Sequence, residues 1–192
     1  MTTITPRGRL ARTLAGSVAV AALAVTTLLP GVAFATRISP PSVPATIQVP
    51  AGNKPFLLGH ATGTQNYTCQ LTSSGYAWTL VGPVATLVDD KGKQIMTHYA
   101  GPTWEGNDGS KVVGMVVGRA NSPDPDAIPW LLLQSTANAG PGIFTPVTYI
   151  QRLETVGGLA PTEGCDRSTV DSERDVTYMA TYLFYVASGD VL

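Results

Sequence analysis

Charge is scarce in this chain: Asp, Glu, Lys and Arg make up 13% of 192 residues, beside two histidines and two cysteines. These shortages exclude whole classes of function. The four lysines (Lys54, Lys91, Lys93 and Lys111) are scattered and make no basic stripe, which argues against nucleic acid or an anionic membrane surface as partner. No Gly-x-Ser-x-Gly elbow occurs, so the nucleophile turn of an α/β-hydrolase is missing. No His-x-His or His-Glu-x-x-His pair occurs, so no single element presents two metal-ligating imidazoles. Beyond the first 35 residues no stretch keeps an apolar 3.6-residue period for three turns, which excludes a core of amphipathic helices.

What is present begins with an export pattern. Arg7, Arg9 and Arg12 form a positive region, Leu14 to Leu29 is an apolar run, and Ala33-Phe34-Ala35 follows a Pro30-Gly31 break as a small-x-small cleavage site. A retained membrane anchor fits less well, because the run holds Gly16, Ser17, Thr26 and Thr27 and no stop-transfer charges follow it. Adjacent arginines are absent, so a twin-arginine signal is not supported. Cleavage after Ala35 leaves 157 residues, with nine basic against thirteen acidic side chains and a net charge of −4. That length suits one domain.

Cys69 and Cys165 both lie in the mature part, and an exported chain meets oxidising conditions. A disulfide between them would close a loop of nearly the whole domain, worth roughly 4.7 kcal/mol for about 100 residues in the chain-entropy model. The alternative use of two thiols is metal ligation, but a separation of 96 positions lacks the close spacing of a zinc site. The disulfide is the better reading.

Residues 36–55 carry five prolines and read as an extended leader. From Phe56 the pattern is β. Expected strands are Phe56–Ala61, Asn66–Leu71, Tyr76–Val81, Val84–Val88, Gln94–Tyr99, Lys111–Arg119, Trp130–Ser135, Val147–Glu154 and Val176–Val186, separated by Gly, Pro, Asn or Asp. Asp89 to Gly92 reads as a hairpin turn, and Asn107-Asp108-Gly109 as another. Val176–Val186 is apolar on both faces and is expected to be covered on both, whereas Gln151 and Glu154 mark where Val147–Glu154 meets water. About nine strands without intervening helices imply an antiparallel β-sandwich or barrel.

Chemistry concentrates around His60 and in the stretch His98–Gly118. Histidine is both a common metal ligand and the acid–base of neutral pH. With Glu105 or Asp108 the pair could form a two-histidine, one-carboxylate site; the plainer reading is hydrogen bonding at strand ends. Trp104 and Glu105 with Gln65 and Tyr67 offer rings, amide and carboxylate, the groups that carbohydrate recognition uses. The plainer reading of Trp104 is a plug at one end of the barrel. Trp78 and Trp130, inside apolar strands, read as core. Glu105 and Asp108 are too close in one loop to flank a sugar as a glycosidase pair. Asn66-Tyr67-Thr68 fits a glycosylation sequon, relevant only to a eukaryotic secretory route.

The ordered blocks GTQNYTCQ, WTLVGPVATLVDDKG, HYAGPTWEGNDGSKVVG, PWLLL, VTYIQRLETVGGLAP and CD together resemble the exported domain of unknown function 3455 family of bacteria and fungi, over essentially all of residues 45–187. The resemblance implies fold and export, and its paired cysteine blocks fit a Cys69–Cys165 bridge. Some relatives carry a malate-dehydrogenase label. No Gly-x-Gly-x-x-Gly follows a strand here and no βαβ alternation exists, so nothing in the residues supports dinucleotide chemistry. The resemblance adds nothing to mechanism.

The expectation is a signal peptide over 1–35, a leader over 36–55 and one all-β domain over 56–190. The protein is read as secreted or envelope-associated, without cofactor or metal, binding a small or carbohydrate-like ligand through His60, Gln65, Tyr67, His98, Trp104 and Glu105. A second possibility is an extracellular hydrolase, metal-assisted or using His98 as base with Glu105 as its orienter. A third is a structural wall-associated protein with no site. Expected partners are a small molecule or polysaccharide, with no nucleic acid and no membrane after cleavage; oligomeric state cannot be read.

Overall fold

Alternating side chains and short turns close this chain on itself. The computed structural model describes residues 1–4 and 38–189, so the export pattern lies, from residue 5 onward, outside the described residues. Eight antiparallel strands form one closed barrel in sequence order: β1 (Asn53–Thr72), β2 (Gly75–Val88), β3 (Gln94–Tyr99), β4 (Thr103–Gly106), β5 (Lys111–Ala120), β6 (Trp130–Ala139), β7 (Val147–Gly157) and β8 (Glu173–Ala187). β8 returns to pair with β1, from Asn53 opposite Ala187 to Thr68 opposite Glu173. Closure removes both sheet edges.

Nine expected strands become eight for a definite reason. Phe56–Ala61 and Asn66–Leu71 are one strand, as are Tyr76–Val81 and Val84–Val88, while Thr103–Gly106 is a strand of its own. Gly63, which breaks the pattern in the sequence, lies where β1 crosses β2. A Cβ there would overlap the Val84 carbonyl oxygen and come within 2.6 Å of Ala85 Cα. The glycine lets two long strands stay paired through a tightly coiled corner. The Asp89 turn forms as read, its carboxylate accepting from the Lys91 and Lys93 amides at 2.9 Å each, with Gly92 at φ 77°.

The leader is not a free spacer. A 3-10 turn at Ala45–Ile47 delivers Ile47, fully buried, onto Leu132 and Leu153 outside the barrel. Gly118 permits this, because a Cβ there would overlap the Thr46 carbonyl oxygen. Beneath the leader, Gln151 Nε2 donates to the Ile47 carbonyl at 2.6 Å, and Tyr185 OH donates to Gln151 Oε1 at 2.5 Å. Gln151 therefore does not meet water: it is 2% exposed because the leader covers it. β8 is buried on both faces from Ala180 to Val186; the expectation extended this to Val176, but Thr177 and Met179 are exposed.

The two ends of the barrel differ. At the end carrying the β4–β5 and β6–β7 connections, the Asp108 carboxylate accepts from Ser110 Oγ at 2.6 Å and from the Ile143 amide at 2.7 Å. This seats Phe144, fully buried, against Phe184 with ring centroids 5.1 Å apart. At the other end the long β7–β8 connection is pinned by the Cys69–Cys165 disulfide, by Tyr67 OH donating to the Gly158 carbonyl at 2.6 Å, and by Trp78 Nε1 donating to the Glu163 carbonyl at 2.8 Å. Trp78 packs with the disulfide and Trp130 beside the leader, so neither belongs to the central core.

Candidate functional site

A cavity of about 360 Å³ lies within the barrel, at the end that carries the β1–β2, β3–β4, β5–β6 and β7–β8 connections. Strand alternation decides which residues reach it. His98 pairs with Trp104 across β3 and β4, and both point inward. Gln65 and Tyr67 point inward from β1, and Tyr182 from β8. Leu80, Val81, Val116 and Leu159 form an apolar mouth, and Leu131 and Leu133 form one wall.

The floor is a stack of rings. The His98 imidazole lies on the Trp104 indole, centroids 4.2 Å apart and planes 8° from parallel, with Tyr182 edge-on to both rings at 5.1 and 5.3 Å. His98 Nδ1 meets the Thr103 carbonyl at 2.8 Å. A carbonyl only accepts, so Nδ1 carries the proton and Nε2 keeps its lone pair. Burial strips water from the imidazolium, and the Arg152 guanidinium repels it. These effects outweigh the Thr103 bond and hold the His98 pKa down at about 3. His98 is a neutral acceptor near pH 7. A base so weak has little driving force for taking a proton there.

Two further polar atoms at this floor, Gln65 Nε2 and Trp104 Nε1, are buried without a hydrogen-bond partner among the described residues. Tyr67, Tyr178 and Tyr182 all have pKa values raised by burial, so their hydroxyls stay protonated. The floor of the cavity thus carries neutral donors and acceptors.

Of the six side chains expected at a site, Gln65, Tyr67, His98 and Trp104 come together around this cavity; His60 and Glu105 do not line it. The reason is parity. Ala61 points into the barrel, so His60 points out, where Nε2 pairs with Asp90 at 3.0 Å and Nδ1 faces Thr181 Oγ1 at 3.4 Å. Trp104 points in, so Glu105 points out, accepting from Tyr99 OH at 2.9 Å and pairing with Lys111 at 3.0 Å. Those two partners hold the Glu105 pKa low. Glu105 therefore does not orient His98; the Thr103 carbonyl does. Among the described residues no three His, Cys, Asp or Glu side chains are grouped as a metal site requires.

Sequence reading missed Arg119 and Arg152, which also line the cavity. Both lie directly opposite Leu131, Arg119 from β5 and Arg152 from β7. The signal was there: Ile150 is inward, so Arg152 two residues later shares its face. Arg152 Nε and Nη2 donate to the Pro129 carbonyl at 3.1 and 2.8 Å.

A closed eight-stranded barrel with one sealed end and a cavity at the other belongs to the architectural class that can enclose one small ligand. A family model described as a protein of unknown function (DUF3455) matches residues 50–186, and the chain belongs to that family. No curated protein and no solved structure matches the chain.

Proposed function

We propose that this is an exported binding protein that takes up a small, largely apolar molecule in the end cavity of its barrel. The observation that carries the reading is the cavity itself: about 360 Å³, at the small end of the roughly 300–1,000 Å³ typical of ligand pockets, with leucine and valine walls and a few fixed polar groups. The disulfide supports an oxidising compartment, in keeping with the arginine-led apolar N-terminus. A carbohydrate is the weaker ligand class. Sugar recognition needs an open ring face, and Trp104 has one face against His98 and its surroundings filled by Tyr182 and Phe184.

The test is a titration of the purified protein with the neutral fluorophore prodan. Saturable binding is expected in the parent protein and loss of it in Val116→Trp, which fills the mouth at a position already 40% exposed. Circular dichroism should show the fold unchanged. Equal binding by the two proteins would place the dye outside the cavity and sink the reading.

A further inference from the structure

Arg119, Leu131 and Arg152 form one cross-strand row on the inner wall. Adjacent strands are about 4.8 Å apart, so the two arginine Cα atoms stand about 10 Å apart with a leucine between them. That span lets two long side chains close on one small group. Arg119 is exposed at the mouth, and Arg152 is half-buried deeper in. No acidic side chain among the described residues lines the cavity. Among the described residues neither guanidinium has a carboxylate within ion-pair distance. For the half-buried Arg152, a guanidinium that has given up part of its hydration without gaining a counter-charge is stabilised when something anionic joins it. The Pro129 carbonyl occupies two Arg152 donors and the Tyr182 hydroxyl meets another, while a guanidinium has five.

We propose that the molecule held here is a small organic monocarboxylate, its carboxylate clasped between Arg119 and Arg152 and its apolar body lying over Leu133 and Trp104. The inference rests on reading the cavity as a ligand site and adds the charge of the ligand. Guanidinium groups present paired N–H donors that match a carboxylate's two oxygens. Leu133 lies two residues along β6 from Leu131 and on the same face, and Gly114 brings it near Trp104: a Cβ on that glycine would meet Leu133 Cβ at 3.2 Å and Trp104 Cζ3 at 3.3 Å. A ligand anchored at the arginines therefore reaches an apolar wall directly behind its head. The ring floor beyond, with neutral His98, offers no second charge.

The test compares matched acid and alcohol: octanoate with octanol, and phenylacetate with phenethyl alcohol, titrated by calorimetry into the parent protein, Arg152→Met and Arg119→Met. Each acid is expected to bind the parent roughly tenfold or more tighter than its alcohol, the effect of a hydrogen-bonded charge. Arg152→Met should bring acid and alcohol to parity, and added salt should weaken only the acids. The salt dependence and the exposed Arg119→Met variant keep the test decisive if Arg152→Met does not fold. Alcohols that bind the parent as tightly as acids would overturn the carboxylate inference and leave the cavity reading standing. Failure of all four compounds to bind would overturn both.

Discussion

The imidazole of His98 lies flat on the indole of Trp104, ring centroids 4.2 Å apart and planes 8° from parallel. The stack leaves a buried histidine, 3% exposed, beside a guanidinium and with its one N–H committed to a carbonyl. Its consequence for stability has a definite sign. The folded pKa of about 3 is below the ordinary 6.5, so the unfolded chain binds a proton that the folded one refuses.

Stability is therefore full above pH 6.5 and lost as pH falls from there toward 3. Between about pH 8 and about pH 5 the loss from His98 alone is about 2 kcal/mol. Urea denaturation at several pH values measures it. His98→Gln should flatten the curve over that window; Asp108, whose pKa is depressed by Ser110 and the Ile143 amide, loses its contribution only in stronger acid.

The Cys69–Cys165 bridge joins β1 to the β7–β8 connection across 96 positions. Reduction, or Cys69→Ala with Cys165→Ala, is expected to cost up to about 4.7 kcal/mol by chain entropy. It should also open the connection to protease, since the Tyr67 and Trp78 side-chain bonds, the Cys69 backbone bonds and the Ala127–Gly158 bridge hold it less firmly than a covalent link. Denaturation with and without reductant checks the first expectation, and limited proteolysis the second. Equal stability in both states would contradict it.

Gly118→Ala should push the Thr46 carbonyl away and lift Ile47 off Leu132 and Leu153. Overpacking of this kind costs about 1–3 kcal/mol, and Gln151 Nε2 loses its acceptor as well. The measurable outcome is faster proteolytic trimming of the leader together with a lower Tm. Unchanged trimming would mean that the leader is held elsewhere.

His60→Ala and Glu105→Gln are expected to leave cavity binding unchanged, because both side chains stand on the outer wall. Each removes an ion pair at the protein surface, which the fold should tolerate. Prodan titration of each variant decides it, and loss of binding in either would place the site on the outside of the barrel.

Much of the fold was legible because a β-strand reports itself by alternation and turn residues: the hairpin at Asp89–Gly92, the turn at Asn107–Gly109 and the two-faced burial of β8 all follow from composition. What misled is physical. Gly63 looks like a break yet permits continuous pairing, and a proline-rich leader looks solvated until Ile47 finds an apolar outer face. Within the candidate site, Thr103–Gly106 did not read as a strand, so neither the His98–Trp104 pairing nor the outward parity of Glu105 could be read, and nothing local turned His60 outward. Arg119 and Arg152 were hidden because a charge inside a barrel goes against expectation, and only the neighbouring strands fix which face they share.

Binding in the cavity is tested most directly by nuclear magnetic resonance of the Trp104 indole N–H, a buried donor without a partner among the described residues, during titration with octanoate. The expected result is a saturable shift of the Trp104 signal and of the His98 ring, with the Trp78 signal still because its N–H is held by the Glu163 carbonyl. A Trp104 signal that stays fixed while octanoate binds elsewhere on the protein would contradict the cavity as the site.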